Sequence, residues 1–240
     1  MSVASVSPAE KRRLLSETPF FAAFPPAQRD ALAARLNERS HEDGDTIFLR
    51  GDESTSLMIV ASGRVALRLT SPQGREILLA ILEPGEIFGE MSLLDGRGRS
   101  ADAVAFGPCR LLSLDRRDML PVLQDSPEAC IRLLELLSTR LRRTSDQLEG
   151  VALMTLPSRL ARLLLTLSDT HGARQNAEGE VLLPLALSQR DLGQLIGASR
   201  EKVNLQLGRW SAEGLLRRQE GALVICDTDG LADIADAGAP

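Results

Sequence analysis

Between His41 and Ser113 the chain is cut into short apolar runs by a recurring turn signal, and this pattern restricts the possible folds more than any other. The runs Thr46-Ile47-Phe48-Leu49, Leu57-Met58-Ile59-Val60, Val65-Ala66-Leu67-Arg68-Leu69 and Glu76 to Leu82 are rich in strand-forming residues. Between them stand Asp43-Gly44-Asp45, Arg50-Gly51-Asp52, Ser62-Gly63, Pro72-Gln73-Gly74 and Pro84-Gly85. Cys109 to Leu114 reads as a last strand. Strands and turns at this regular spacing predict an antiparallel roll or barrel. Ahead of it, Pro8 to Leu36 reads as short helices broken at Pro19, Pro25 and Pro26, with Phe20, Phe21 and Phe24 anchoring them to the sheet.

The pattern then changes period. Asp115-Arg116-Arg117-Asp118 caps a short helix, and Ser126-Pro127-Glu128 opens a long one running to about Met154. On it Leu134, Leu137, Leu141, Thr144, Leu148 and Val151 alternate spacings of three and four, a heptad seam. A narrow seam on so long a helix favours a two-stranded coiled coil, hence a homodimer, over packing on its own domain. Another helix starts at Pro157, His171 to Glu180 is a polar linker, and Val181 to Leu187 and Leu223 to Ile225 read as strands around a helix pair. The organisation is α+β: an antiparallel β-roll over residues 1–125, a dimerisation helix over 126–154, and a small helical domain over 155–240.

Composition narrows the function classes. The three cysteines, Cys109, Cys130 and Cys226, have no metal-ligand spacing, and the two histidines, His41 and His171, lie far apart, so no metal or haem is expected. No apolar run is long enough for a membrane span and Met1 to Arg13 is polar, which makes a cytoplasmic location the default. The net charge of -5 is unlike that of a strongly basic nucleic-acid binder. The charge is uneven, however: nine basic residues face six acidic ones between Val151 and Arg218, and the tail beyond is acidic. There is no Ser-His-Asp set and no Walker loop, so enzyme chemistry is not expected.

Pro84 to Ala101 carries the first chemistry. Gly89 permits close backbone approach to a ligand, and Glu90 is an acceptor-only carboxylate suited to a ribose hydroxyl. Successive N–H groups from Gly89 through Met91 to Ser92 can cradle an anion at a helix start. Arg99 brings a planar cationic fork for a phosphate and Ser100 a hydroxyl donor, which together describe a nucleoside monophosphate site. A structural Arg99–Glu90 ion pair is the competing reading. The whole stretch resembles the phosphate-binding cassette of the cyclic AMP receptor protein family and of cyclic-nucleotide-binding domains. That resemblance implies that Glu90 takes the ribose 2′-hydroxyl, Arg99 and Ser100 the cyclic phosphate, and Gly89 and Met91 backbone contacts. It also implies that Thr144 and Ser145 reach the adenine; a register-setting polar pair in the seam is the alternative.

Leu187 to Trp210 carries the second. Ser188 caps a helix whose apolar positions include Leu192, Leu195 and Ile196, Gly197 makes the turn, and Ser199 caps a helix with Val203 and Leu207 inward. Arg200, Glu201, Lys202, Asn204 and Gln206 are left for solvent or a ligand, a base-reading arrangement. The stretch resembles the winged helix-turn-helix of the same family, including Leu215-Leu216 leading to a wing near Gly221. The resemblance implies that Arg200 and Glu201 read base edges and that Ser188, Gln189 and Ser199 bind phosphates of double-stranded DNA. Leu205 and Gly208 stand where well-known members carry arginine and lysine, which changes the expected operator.

Together these readings predict a transcription regulator of the cyclic AMP receptor protein and fumarate–nitrate reductase regulator family. Its allosteric ligand is cyclic AMP, with cyclic GMP open because threonine and serine hydroxyls also satisfy guanine. Its partners are a second copy of the chain, DNA and RNA polymerase. The alternatives are a regulator of the same fold answering a non-nucleotide signal, and a nucleotide-binding module without a DNA function.

Overall fold

Sheet assembly in the first half is governed by strands that are apolar on both faces. The computed structural model describes residues 6–74, 76–174, 180–183, 187–219 and 222–238. It opens with helices α1 (Pro8–Glu17), α2 (Pro19–Ala22) and α3 (Pro26–Ala33), the first held by a capping box between Ser7 and Glu10. Strands β1 (Asn37–His41), β2 (Thr46–Phe48), β3 (Ser56–Ser62), β4 (Val65–Thr70), β5 (Glu76–Leu82) and β6 (Ile87–Phe88) follow. Then come α4 (Glu90–Asp95), β7 (Asp102–Ala105), β8 (Cys109–Asp115), α5 (Arg116–Gln124) and the long α6 (Pro127–Leu153). The strands form two four-stranded antiparallel sheets, in the orders β1-β8-β3-β6 and β2-β7-β4-β5.

In β3, Leu57 and Ile59 join one core while Met58 and Val60 join another. Its neighbours do the same: Leu112 and Leu114 of β8 and Ile87 of β6 face the first core, Leu111 of β8 and Phe88 of β6 the second. Side chains alternate across a strand, so inner strands sandwiched between helices and the roll interior carry apolar residues on both faces, while the edge strand β1 is polar and largely exposed. The N-terminal phenylalanines complete the first core; Phe20 meets Phe21 and Phe24 edge-on at 4.8 and 5.6 Å. The β-roll predicted from the turn spacing is the fold observed.

Two compact units divide the chain, one through Leu141 and the other from Arg142. The second contains the end of α6, then α7 (Leu156–His171), β9 (Ala173–Arg174), β10 (Val181–Leu183), α8 (Gln189–Ile196) and α9 (Arg200–Ala212). A hairpin of β11 (Leu216–Gln219) and β12 (Ala222–Ile225) precedes α10 (Thr228–Asp236). These strands make an antiparallel sheet in the order β11-β12-β10-β9. Its core gathers Leu160, Leu164, Val203, Leu207, Trp210, Leu216, Ile225 and Leu231.

Four expectations are corrected. The polar linker after His171 contains the short strand β9, which pairs with β10 through Arg174↔Val181. Asp115 stands before α5 but makes no side-chain cap. The strand expected to reach Leu187 is observed only as far as Leu183, and residues 184–186 and Gly221 lie outside the described residues. Gln206 is buried rather than presented to solvent, because its place on α9 lies beside inward-facing Val203, Leu207 and Trp210.

Candidate functional site

The stretch singled out from Pro84 to Ala101 is the crossing between the two sheets of the roll. It leaves the first sheet with β6, which pairs with β3 through Met58↔Phe88, and enters the second with β7, which pairs with β4 through Arg68↔Asp102. At the corner Gly89 has φ +76° and caps α4 without a side chain. A Cβ there would stand 2.2 Å from Nη1 of Arg99, so both the backbone conformation and the close approach require glycine. At the other end of α4, Arg116 donates through Nε to the Leu93 carbonyl at 2.7 Å. A cation there suits the carbonyl-rich helix end.

Arg99 is buried, 3% exposed. Its Nη1 donates to the carbonyls of Ser56 (2.8 Å) and Gly89 (3.1 Å), and its Nη2 to the hydroxyls of Ser54 (2.7 Å) and Ser56 (3.0 Å). Cζ lies 4.3 Å from the centre of the Phe48 ring. The backbone is clipped as well: Gly51 N donates to Arg99 O at 2.8 Å and Arg99 N to Asp52 O at 3.0 Å. The buried Asp102 carboxylate accepts from Arg50 N (2.8 Å) and from the Thr70 hydroxyl (2.7 Å), which fixes the same loop. Burial pushes the guanidinium pKa down, and the nearby Glu90 and Asp52 charges offset part of that.

Glu90 is equally buried and does not pair with Arg99. Its Oε1 lies 2.6 Å from Nη1 of Arg140, and Nη2 of Arg140 donates to the Ile87 carbonyl. The structural pair weighed as the competing reading is therefore replaced by a different one. Two buried polar atoms here have no hydrogen-bond partner: Nε of Arg99 and Oε2 of Glu90. Each such atom costs about 1–3 kcal/mol unless a partner arrives. Ser92 is buried in α4, whereas Met91 and Ser100 are exposed. Thr144 and Ser145 are exposed on the part of α6 that belongs to the second unit.

Arg140, Ser54 and Ser56 were not among the residues singled out from sequence. They come from segments remote along the chain, and no local motif marks them. Among the described residues no group of three or more His, Cys, Asp or Glu could hold a metal, and no helix is long and apolar enough to cross a membrane. Burial raises the thiol pKa of Cys109 and of Cys226, which keeps both protonated at neutral pH.

In the second unit the helix pair has the expected caps. Ser188 and Asp191 form a capping box on α8, Ser199 caps α9, and Gly197 closes α8 at φ +66°. Gly193 lets the turn fold back onto α8, since a Cβ there would meet the Ala198 carbonyl at 2.6 Å. The half-buried Arg159 of α7 donates to the Ile196 carbonyl at 2.9 Å and so supports the turn from behind. Ser188, Ser199, Arg200, Glu201, Lys202 and Asn204 are exposed and Gln189 half-buried. Gln189 Nε2 donates to Asn204 Oδ1 at 2.8 Å, tying α8 to α9. Hydrogen bonds to its own N–H and to Ser199 hold the Glu201 carboxyl below its usual range. A groove of about 570 Å³ runs between this face and the β11–β12 hairpin, lined by Ser188, Gln189, Arg190, Arg200 and Arg218 among others. Arg190 stands on α8 itself, whereas Arg218 joins the face only because the hairpin folds back toward α8. Leu205 is exposed, and a Cβ on Gly208 would point into open space.

Comparison with known proteins covers both units. Residues 38–126 match the cyclic nucleotide-binding domain and residues 158–234 the Crp-like helix-turn-helix domain. The chain is 33% identical over 219 residues to the CRP-like cAMP-activated global transcriptional regulator of Mycobacterium tuberculosis, covering 91% of this chain and 97% of that one. It is 36% identical over 219 residues to the cyclic AMP receptor protein of Thermus thermophilus, with the same coverage. Among solved structures, the c-di-GMP responsive global regulator CLP of Xanthomonas campestris is 25% identical with a TM-score of 0.74, covering 85% of this chain and all (100%) of that one.

Proposed function

The chain belongs to the cyclic AMP receptor protein and fumarate–nitrate reductase regulator family of transcription regulators, and on that premise we propose that it is a homodimer whose affinity for DNA is set by cyclic AMP. The observation that carries the ligand is the pair of orphaned atoms in the cassette, one a buried cationic donor and the other a buried carboxylate acceptor. A cyclic nucleotide supplies the complement of both, an anionic phosphodiester and a ribose hydroxyl. In this reading Arg99 holds the phosphate with the N–H groups from Gly89 through Met91 to Ser92 and the Ser100 hydroxyl. Glu90, steadied by Arg140, holds the sugar. Thr144 and Ser145 take the purine and favour adenine over guanine.

Dimerisation follows from the face of α6 that carries Leu134, Leu141, Leu148 and Val151, all more than half exposed in the single chain. An apolar stripe of that kind marks an interface. A twofold dimer presents its recognition helices to half-sites about one helical turn apart (~34 Å) on palindromic DNA. Arg200 and Glu201 read base edges, with Lys202 and Asn204 beside them, and Ser188, Gln189 and Ser199 position the phosphates. Ligand acts through its differential affinity for two arrangements of the dimer. RNA polymerase is the further partner of this reading, and the cytoplasm the compartment.

Calorimetry with cyclic AMP and cyclic GMP, followed by gel shift on palindromic DNA with and without the tighter ligand, tests it. Cyclic AMP is expected to bind more tightly and to raise operator affinity. If neither nucleotide binds, the ligand assignment is wrong. If operator affinity is the same at saturating nucleotide, the relay is absent.

A further inference from the structure

The buried cation at the centre of the cassette is anchored in an unusual way. A buried guanidinium is ordinarily met by a carboxylate or by carbonyl oxygens, which are acceptors only. Nη1 of Arg99 follows that habit with the carbonyls of Ser56 and Gly89. Nη2 does not: both of its bonds go to serine hydroxyls, Ser54 Oγ at 2.7 Å and Ser56 Oγ at 3.0 Å. No carboxylate of the described residues is in an ion pair with Arg99, because Glu90 is turned to Arg140.

The difference matters when the second ligand of the cation is itself an anion. A carbonyl or carboxylate on Nη2 would turn bare lone pairs toward a phosphodiester and repel it. A hydroxyl accepts from the guanidinium with one lone pair and keeps its own proton for donation. Ser54 Oγ and Ser56 Oγ stand 3.4 Å apart, so at most one of them donates to the other and at least one O–H proton remains for a further acceptor. The hydroxyls are polarised by the charge they hold, which makes them better donors. Ser56 opens β3 and Ser54 lies two residues ahead of it, where the strand passes the cassette corner at Gly89.

We propose that Ser54 and Ser56 are part of the anion site itself: they anchor Arg99 and donate their hydroxyl protons to the cyclic phosphate that Arg99 holds. The proposal rests on the cyclic-nucleotide reading above and names residues of that site which lie outside the cassette motif. It separates from a merely structural role, in which the hydroxyls only satisfy the guanidinium and bind no ligand.

The test is calorimetry on full-length wild type, Ser54→Ala, the Ser54→Ala/Ser56→Ala double variant and Ser54→Thr. Each is titrated with cyclic AMP and with the two phosphorothioate diastereomers in which one exocyclic oxygen is sulfur. Ser54 precedes β3 and belongs to no helix or strand, so its single substitution removes no sheet pairing, and a thermal melt of each variant checks that the roll is folded. Loss of one charge-assisted hydroxyl bond is expected to weaken cyclic AMP about tenfold, and loss of both by more. Ser54→Thr is expected to restore affinity. The preference between the diastereomers should shrink in the alanine variants, because a sulfur facing a missing hydroxyl no longer matters; a structural role would weaken both diastereomers alike. Cyclic AMP affinity within about twofold of wild type in the double variant overturns the proposal while leaving the nucleotide reading intact. Equal weakening of both diastereomers also overturns it. Absence of binding by wild type removes the nucleotide reading and this proposal together.

Discussion

The two polar clusters of this protein solve opposite problems. Around Arg99 and Glu90 the charges are buried, and the protein has already spent most of their hydrogen-bonding capacity on its own carbonyls, hydroxyls and Arg140. Around Arg200, Glu201 and Lys202 the side chains are exposed on the first turn of α9, over a core closed by Val203, Leu207 and Trp210. A buried site is organised before its ligand arrives, so its residues are coupled and a single loss disturbs all of them. An exposed helix face is a set of separable contacts whose energies come from the partner.

That contrast can be broken in several ways. The largest effect is expected from Arg99→Ala, which should weaken cyclic AMP by at least ~100-fold in calorimetry, since several charge-assisted bonds are lost together. Gly89→Ala should approach the same result without touching a charge, because its Cβ would displace the guanidinium. If Gly89→Ala binds like wild type, the site is less rigid than the contrast requires. Next comes Asp102→Ala, which strips partners from Arg50 N and the Thr70 hydroxyl. It should cost about 1–3 kcal/mol in chemical denaturation and weaken cyclic AMP through the loosened loop. Arg200→Ala should reduce operator affinity by roughly 1–3 kcal/mol while leaving calorimetric cyclic AMP affinity unchanged. A change in nucleotide affinity there would mean that the two clusters are less independent than their burial implies. Smallest is Leu205→Ala, exposed at 59%, expected to stay within about 0.5 kcal/mol of wild-type stability.

Much of this was legible along the chain wherever function is written in consecutive residues. The cassette and the helix-turn-helix are continuous segments, so Gly89, Glu90, Arg99, Ser188 and Arg200 could be singled out before any fold was known. Helix α9 misled at one place: Gln206 looked polar and therefore outward, but helical geometry sets it beside the core-facing Val203 and Leu207. Beta-strand β9 was hidden for a different reason. Two residues, Ala173 and Arg174, carry no strand pattern of their own and pair only because β10 offers an edge.

Period and punctuation along the chain carried much of the architecture: turn residues at short intervals point to a roll or barrel, a heptad stripe to a long helix, and serine caps around glycines to a tight helix pair. These are local properties of backbone and side chain, and they act wherever the segment sits. What the folded molecule alone decided is who meets whom across distance. Glu90 is turned to Arg140 rather than Arg99, Ser54 and Ser56 are brought under the guanidinium, and Arg218 is folded toward Arg200. Such pairings depend on the crossing of sheets and the return of a hairpin. A buried charge must take whichever partner those crossings deliver, and the order of residues does not record which one that is.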